Sequence, residues 1–243
     1  MIEIWHPQVQ HGADSRLAYD GIYTDAGIHL LDSFYIWLLS LIQPPSGANL
    51  LDVSCGEGAL VMWARRRGVA ACGVDFSRAA IRRACATTGQ PSFTVGDGAR
   101  LPFSTAQFDY VTCIGSLEHF EQPALGIREI QRTLRPEGKA CILLPNTFSL
   151  LGTVNYARKT GEIFDDGQPI QRYNTRMGWA RLLAENGLPV YRVEKYELPW
   201  PQTAVDWRWY LRRPRKLAHL LVGMMLPINL ANCHVFLCSR GSF

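Results

Sequence analysis

The 243-residue sequence lacks a run of about 18 uninterrupted apolar residues, so we expect no membrane-spanning helix. Its first residues, MIEIWHPQVQ, lack the basic start and apolar stretch of a signal peptide. A Cys-x-x-Cys pair is also missing, and the six histidines do not have the spacing of a metal site. The seven cysteines are odd in number and mostly lie within apolar runs. These features predict buried free thiols in a reducing cytoplasm and no bound metal.

A strong charge of either sign is missing too. The net charge is +4 and only 19% of residues are charged, which is too little to indicate a nucleic-acid partner. Apolar residues make up 47%, an ordinary share for a globular protein, and the length suits one α/β domain with a sizeable core. We therefore expect a single domain over residues 1–243 and no nucleic-acid partner.

Short apolar strands alternate with helical patterns over residues 49–145. The predicted strands cover 49–53, 70–75, 92–97, 108–115 and 138–145, and the predicted helices cover 58–67, 77–87 and 122–134. Such alternation is typical of right-handed βαβ units and a mostly parallel sheet. The elements outside this segment are predicted as helices over 28–42 and 174–187 and strands over 190–198 and 233–240.

Two long segments do not fit this alternation, residues 146–173 and 198–231. A long connection within one domain is usually a lid or a substrate-binding loop. The second segment also holds three of the seven tryptophans. We expect both insertions to meet over the ligand crevice and to form most of an acceptor pocket, with Tyr173, Trp200 and Trp207 among its aromatic walls.

The stretch LLDVSCGEG at residues 50–58 ends a strand in a glycine-rich turn that carries two acids, Asp52 and Glu57. A phosphate-binding turn would avoid these carboxylates, because it holds an anion with backbone N–H groups. The dinucleotide fingerprint also needs glycine or alanine where this chain has Val61. Val61 and Asp52 therefore disfavour a nicotinamide-dependent oxidoreductase.

Two further acids, Asp75 and Asp97, follow predicted strands, and the carboxyl ends of parallel strands line one crevice. An acid about twenty residues beyond a glycine turn, as Asp75 is, commonly binds ribose hydroxyls. With Asp52 and Glu57, the pattern favours a ligand that contains adenosine, lacks phosphate and carries positive charge. S-adenosylmethionine, which has a sulfonium and an ammonium group, meets this description.

Five motifs follow one another along the chain: LLDVSCGEG, GVDFS, VGDGARLPF, FDYVTCIGSLEHF and REIQRTLRPEGKACILLPN. In this order they resemble the class I S-adenosylmethionine-dependent methyltransferases, nearest to the ubiquinone-biosynthesis-like (type 11) group. The resemblance is good over about residues 49–146 and loose over 174–196, and Glu137 stands where that family usually has glycine. It implies a doubly wound α/β fold with a mostly parallel seven-stranded sheet, its last strand antiparallel. The resemblance further implies a helical lid over residues 1–48 and a cofactor-binding core over residues 49–145.

The resemblance also implies which residues bind S-adenosylmethionine, which would leave as S-adenosylhomocysteine. Asp52, Gly56 and Gly58 would lie under its methionine end. Asp75 would bind both ribose hydroxyls, and Phe76 would pack on the adenine. The remaining residues of the implied cofactor site are Ser54, Asp97, Gly98, Ala99, Ile114 and Ser116, with Asp97 facing the adenine amino group.

His119, in SLEHF, is the candidate catalytic base, because an ordinary histidine pKa of about 6.5 suits proton removal near neutral pH. The alternative is that Glu118 and His119 cap a helix or bond to a loop. The acceptor-side candidates are Tyr19, Tyr23, Arg172, Tyr173, Trp200 and Trp207, and for each of them an ordinary packing or surface role is equally open. Cys113 lies inside an apolar strand without the adjoining proline found in enzymes that methylate cytosine at C5, so we interpret it as a core thiol. The Asn/Asp-Pro-Pro-aromatic tetrapeptide of adenine methylation is also missing. Both absences disfavour an enzyme that methylates nucleic-acid bases.

Residues 207–230 begin with aromatic and basic side chains and continue as an apolar helix. This pattern is typical of a segment on an anionic membrane surface. It also fits a wall of a pocket for an apolar acceptor, or a core-packing helix with a solvated basic face. All three interpretations stay open at the level of sequence.

The sequence thus predicts methyl transfer from S-adenosylmethionine to a small-molecule or lipid-like acceptor. Oxygen is the favoured acceptor atom, with nitrogen and carbon left open. The alternatives are a non-catalytic S-adenosylmethionine-binding module and, less favoured, a nicotinamide-dependent oxidoreductase. We expect a cytoplasmic protein, with peripheral membrane contact through residues 207–230 as one alternative.

Overall fold

Nine strands and nine helices form the part of the chain that this computed structural model describes, residues 1–6, 12–25, 27–28, 30–89 and 92–241. The strands are β1 (Ile2–Trp5), β2 (Asn49–Val53), β3 (Ala70–Asp75), β4 (Phe93–Val95), β5 (Phe108–Ile114), β6 (Leu134–Pro145), β7 (Ile170–Tyr173), β8 (Val190–Tyr196) and β9 (Cys233–Ser239). The helices are α1 (Gly12–Asp25), α2 (Asp32–Ile42), α3 (Ala59–Arg65), α4 (Arg78–Thr88), α5 (Pro123–Thr133), α6 (Asn155–Thr160), α7 (Arg176–Glu185), α8 (Ala204–Leu211) and α9 (Pro214–Met225).

The main sheet has seven strands in the order β4-β3-β2-β5-β6-β9-β8. The strand β9 runs opposite to the other six strands of this sheet. The prediction of a mostly parallel sheet whose last strand is antiparallel is therefore confirmed. The chain winds outward from β2 in one direction to β4 and then returns to β5 on the other side. This reversal opens a crevice at the carboxyl ends of β2 and β5, the usual ligand position in such sheets.

The sheet is covered on both faces, which explains why its strands are nearly continuous apolar runs. Adjacent residues of β2, Leu50 and Leu51, are both fully buried but enter opposite cores. Leu51 packs with Ile127 of α5 and Trp179 of α7, whereas Leu50 packs with the helices α2, α3 and α4. Because successive side chains of a strand point to opposite faces, each strand contributes to both layers.

The N-terminal segment is helical over α1 and α2, as expected, but it also contains a strand that the sequence analysis missed. β1 pairs antiparallel with β7, with Ile2 opposite Tyr173 and Trp5 opposite Ile170. Four-residue strands separated by more than 160 residues leave no local pattern, since each is defined by its partner. Residues 146–173 were expected to form one long connection, but they contain β7, α6 and a helical turn at Leu150–Val154.

Residues 198–231 also form regular structure, with α8 and α9 followed by a turn at Ile228–Leu230. The buried carboxylate of Asp206, 1% exposed, joins α8 to the start of α2. It accepts hydrogen bonds from the backbone N–H of Ser33, at 2.9 Å, and from the Ser33 hydroxyl. This contact fixes α8 beside α2.

Replacing Asp206 with alanine should lower the free energy of unfolding by about 2–3 kcal/mol, because two buried donors of Ser33 lose their acceptor. Asp206→Asn keeps one acceptor oxygen and should cost less. Urea unfolding of both variants measures the difference. Equal stability of the alanine variant and the wild type would show that this contact does not hold α8.

Candidate functional site

A cavity of about 430 Å³ lies at the carboxyl ends of the central strands. Its walls come from α1, from the turns after β2 and β3, from residues 97–100 and from the segment that follows β5. Of the residues predicted to bind cofactor, the cavity is lined by Ser54, Asp75, Phe76, Asp97, Gly98, Ala99 and Ser116. The crevice is therefore where the strand order predicted it.

The glycine turn after β2 has no space for larger side chains. Gly56 and Gly58 have φ angles of +53° and +78°, in the left-handed region that favours glycine. A Cβ on Gly58 would lie 2.5 Å from the ring of Phe93, and one on Gly56 would lie 2.8 Å from the hydroxyl of Tyr23. Ser54 also has a positive φ, +57°, which is costly for a residue with a side chain. The turn therefore packs tightly against its neighbours, and of its residues Ser54 lines the cavity.

Asp75, at the end of β3, is 3% exposed and lies in the cavity wall. Its two carboxylate oxygens accept hydrogen bonds from the backbone N–H groups of Gly56 and Ser77, each at 2.9 Å. Burial nevertheless raises its pKa to about 6. A carboxylate has about four lone-pair sites, so two bonds leave acceptor capacity for a pair of hydroxyls in the cavity.

Asp52 lies just below the cavity, at the end of β2, and is 4% exposed. Burial raises its pKa to about 7; the neighbouring Asp75 adds to this rise, and a 2.6 Å hydrogen bond from the Thr112 hydroxyl opposes it. Among the described residues neither Asp52 nor Asp75 forms an ion pair with a cationic side chain. The third acid of the turn differs, since Glu57 is paired with Arg83 at 2.7 Å.

The two buried carboxylates create a site that favours positive charge, because a cation nearby would stabilise their ionised forms. Arg16 and Arg100 also line the cavity but form no ion pair with these carboxylates among the described residues, so a sulfonium and an ammonium would be their cationic partners. The ring of Phe76, 5.2 Å from that of Tyr19, adds an apolar wall suitable for a base. The residues present thus fit S-adenosylmethionine.

Asp97 is exposed and forms a local turn, accepting a 2.8 Å hydrogen bond from the backbone N–H of Ala99. Gly98 lies against the ring of Phe120, so that a Cβ there would clash. On the opposite wall the Ser116 hydroxyl donates to the carbonyl of Ile114 at 3.2 Å. Ile114 supports the wall from behind without lining the cavity.

His119 lies in the cavity wall with its side chain 8% exposed. Its Nδ1 is 2.5 Å from the carbonyl oxygen of Ile170 in β7, so Nδ1 carries the proton and donates. Burial lowers the pKa of the ring, which favours the neutral form. Nε2 then holds the lone pair, and the carboxylate of Glu118 lies 3.8 Å from it. A neutral imidazole with a free Nε2 can accept a proton from a molecule in the cavity.

Arg172 of β7 holds the His119 segment from behind. Its guanidinium is 3% exposed, and its Nη1 donates to the carbonyls of Glu118, at 3.2 Å, and of Phe120. Its Nε also pairs with Glu3 of β1 at 2.8 Å. Arg172 and its neighbour Tyr173, 4% exposed, are thus packed behind the cavity and do not line it.

Trp200 and Trp207 are not brought to the cavity either. They pack edge to face with ring centroids 6.0 Å apart, and Trp200 borders a separate pocket of about 230 Å³ beside Trp37. The reason is the contact between Asp206 and Ser33, which fixes α8 on α2. The two insertions do meet, through the Asn146 side chain and the carbonyls of Asn229 and Ala231, but within the described residues only the first one lines the cavity.

Sequence reasoning named Tyr19 and Tyr23 in the lid, and both line the cavity. It missed Arg16 and Gln168. Gln168 reaches the cavity because the Tyr19 hydroxyl donates to its side-chain oxygen at 2.7 Å, a contact across 149 residues that no local pattern reveals. Arg16 lies three residues before Tyr19 on α1, so helical spacing alone would have placed it on the same face.

Comparison with known proteins agrees with this geometry. Residues 51–142 match the family described as "Methyltransferase domain". Over these residues the chain carries a methyltransferase domain, and S-adenosylmethionine is the cofactor that such a domain implies.

Three relatives share parts of this methyltransferase domain. Nocamycin O-methyltransferase of Saccharothrix syringae is 36% identical over 133 residues, 51% of this chain and 46% of that protein. Demethylmenaquinone methyltransferase of Corynebacterium kroppenstedtii is 29% identical over 42% of this chain and 43% of its own length. The ubiquinone biosynthesis O-methyltransferase of Paracidovorax citrulli is 29% identical over 46% and 49%. The chain thus spans about half the length of the relatives it matches.

Solved structures show the same fold at low identity. A chain from the Haloferax volcanii complex of the Trm112 methyltransferase activator with a methyltransferase gives a TM-score of 0.66 at 18% identity, covering 92% of this chain and 98% of that one. Magnesium protoporphyrin IX methyltransferase from Synechocystis PCC 6803 with bound SAH gives 0.57 at 16% identity, covering 97% and 90%.

Other findings bear on the remaining expectations. Within the described residues, no helix is both long and apolar enough to cross a membrane, and no group of three or more His, Cys, Asp or Glu side chains is arranged to hold a metal ion. All seven cysteines are free thiols, four of them buried.

The raised pKa values of Asp52 and Asp75 predict a pH-dependent stability. Between about pH 4 and 7 the folded protein binds more protons at these groups than the unfolded chain, whose carboxyls have the ordinary pKa of 3.8. Their contribution to stability therefore falls as the pH rises through this window. The free energy of unfolding of Asp52→Asn/Asp75→Asn, taken relative to that of the wild type, should then be about 2–4 kcal/mol higher at about pH 7.5 than at about pH 5. Urea unfolding of both proteins without ligand measures this gain in stability.

Asp97→Asn is the matched control, because it makes the same chemical change at an exposed carboxylate. A gain of equal size at both pH values for the double variant would contradict the assignment of buried, unpaired carboxylates.

Proposed function

We propose that this chain transfers a methyl group from S-adenosylmethionine to a small-molecule or lipid-like acceptor, at oxygen. The observation that carries the proposal is a pair of buried carboxylates, Asp75 in the cavity wall and Asp52 beneath it, beside a histidine in the same wall. Among the described residues the carboxylates have no cationic partner and Nε2 of the histidine makes no hydrogen bond. The carboxylates suit a cationic cofactor, and the histidine suits an acceptor that must lose a proton.

Asp75 is the residue we assign to the ribose. Its side chain is held by two backbone N–H groups, so its free lone pairs point in a fixed direction and need no reordering on binding. Phe76 and Asp97 then bind the adenine ring and its amino group. Asp52 and the backbone at Gly56 lie at the methionine end, where the buried charge of Asp52 stabilises the ammonium.

The bound S-adenosylmethionine supplies a methyl group already activated by its sulfonium. The protein then has to position the acceptor oxygen in line with that methyl and remove the hydroxyl proton. We assign proton removal to Nε2 of His119. Two contacts orient the ring for proton removal, since the Ile170 carbonyl fixes its tautomer and Arg172 holds the backbone on either side of it.

The choice of oxygen is supported by the names of two relatives, nocamycin O-methyltransferase and the ubiquinone biosynthesis O-methyltransferase. The cavity walls support an acceptor with a flat or apolar body. Besides the polar groups, they include Tyr19, Tyr23, Ile28, Phe120 and Leu125. Mainly apolar walls with a few placed polar groups are usual for small-molecule sites.

Asp75→Ala should weaken S-adenosylmethionine binding by about 10- to 150-fold, since a charged hydrogen-bond acceptor contributes about 1.5–3 kcal/mol. Isothermal titration calorimetry measures the dissociation constant. Asp109→Ala is a control that removes a carboxylate paired with Arg135 outside the cavity, and it should bind as the wild type does. Unchanged affinity of the Asp75 variant would refute the ribose assignment.

His119→Gln should reduce turnover by about 10²–10⁴-fold, because glutamine keeps a donor for the Ile170 carbonyl but cannot accept the proton. The assay is S-adenosylhomocysteine formation with a panel of phenolic and hydroxylated acceptors. Cofactor affinity should change less than twofold, which separates this role from cofactor binding. If the variant turns over hydroxylated acceptors like the wild type, His119 only holds the loop. A chain that binds the cofactor without turnover on any acceptor would indicate a binding module.

A further inference from the structure

The helices α8 and α9 expose an unusual amount of apolar surface. Eight of the 21 large hydrophobic side chains exposed in the described chain lie within residues 200–225. On α9, Leu221, Val222 and Met225 are 52%, 47% and 87% exposed. Their spacing of one, three and four residues puts them on one side of the helix, opposite the buried Leu220 and Gly223 that face the protein. This outward side of α9 has no partner within the described residues.

Cations flank this apolar side. Arg208, Arg212, Arg213, Arg215 and Lys216 are all exposed, and they lie on α8, on the turn between the helices and at the start of α9. The one acid of the insertion, Asp206, is buried and bonded to Ser33. None of the five cations forms an ion pair with an acid among the described residues, and Arg213 instead lies 4.7 Å above the ring of Trp209. The surface is therefore apolar and positively charged at once.

The α8–α9 surface, defined as the exposed side chains of residues 204–225, also has a defined position in the fold. The chain leaves β8 and enters β9 at the edge of the sheet where the parallel strands end. The cavity lies at that same edge. The insertion that carries the α8–α9 surface and the cavity thus share the carboxyl end of the parallel strands.

We propose that the α8–α9 surface binds an anionic lipid bilayer. A short amphipathic helix with a basic start and exposed aliphatic side chains is suited to lie in the plane of a membrane, its apolar side at the acyl boundary and its cations at the headgroups. Trp200 and Trp207, 50% and 41% exposed, are of the residue type enriched at such an interface. A nucleic acid would use the cations alone and would leave Leu221, Val222 and Met225 in water. This inference does not depend on the methyl-transfer proposal, because lipid binding needs neither cofactor nor acceptor.

The test is flotation of the full chain with vesicles. Vesicles of phosphatidylcholine alone should bind at least tenfold less protein than vesicles containing about 30% phosphatidylglycerol, at about 0.1 M NaCl. Binding to the anionic vesicles should weaken strongly at about 0.5 M NaCl, because salt screens exposed charges. Equal binding to both vesicle types, or none to either, would overturn the proposal without any variant.

Two variants test the two parts of the surface. Arg212→Gln/Arg215→Gln/Lys216→Gln should lose on the order of 100-fold in affinity for anionic vesicles, at about fivefold for each charge near the surface. Its control, Arg158→Gln/Lys159→Gln, removes exposed cations of α6 and should bind like the wild type. Leu221→Asn/Met225→Asn should lose at least tenfold in affinity, whereas Met177→Asn/Tyr191→Asn, which changes two exposed side chains elsewhere, should not.

Thermal unfolding of each variant checks that α9 stays folded, and a variant within about 3 °C of the wild type counts as folded. Wild-type affinity of a folded triple variant for anionic vesicles would overturn the proposal. So would retention of a short RNA or DNA duplex by a protein that does not bind vesicles, which would assign the cations to nucleic acid.

Discussion

The site depends on two buried carboxylates, Asp52 and Asp75, which have no cationic partner in the part of the chain that the structure describes. Burying an ionised acid is unfavourable, and the rise of both pKa values reflects this. The protein keeps them in place with backbone N–H groups and the Thr112 hydroxyl rather than with lysine or arginine. A cationic cofactor would stabilise the ionised forms of both groups.

The second half of the site depends on contacts over long distances in the chain. His119 follows β5, but its tautomer is fixed by Ile170, and Arg172 holds its backbone segment. Both partners lie in β7, which exists as a strand because β1 pairs with it. Helix α1 is also held by a distant contact, with Asp20 accepting from the Ser77 hydroxyl at 2.6 Å. The N-terminal segment and the first insertion therefore complete a cavity whose floor is built by the central motifs.

The second insertion has a different place. Asp206 fixes α8 on α2, and Lys195 donates to three carbonyls at the end of α9, so both helices are docked on the protein by their inner sides. Their outer sides keep exposed apolar and basic groups. The aromatic density that suggested an acceptor wall thus belongs to a separate surface, which is why Trp200 and Trp207 lie away from the cavity.

The sequence by itself determined the alternation of strands and helices in the core, the glycine turn and the acids at the strand ends. These features follow from local patterns, since periodicity defines strands and helices and the parallel βαβ rule brings Asp75 and Asp97 to one edge. The pairing of β1 with β7, the approach of Gln168 to Tyr19 and the tautomer of His119 were decided only by the tertiary structure. Each joins residues from 51 to 171 positions apart, and no local pattern records a partner at that distance. The direction in which α8 and α9 face was decided in the same way, because an amphipathic pattern fixes which side of a helix is apolar, whereas the buried bond between Asp206 and Ser33 fixes what that helix lies against.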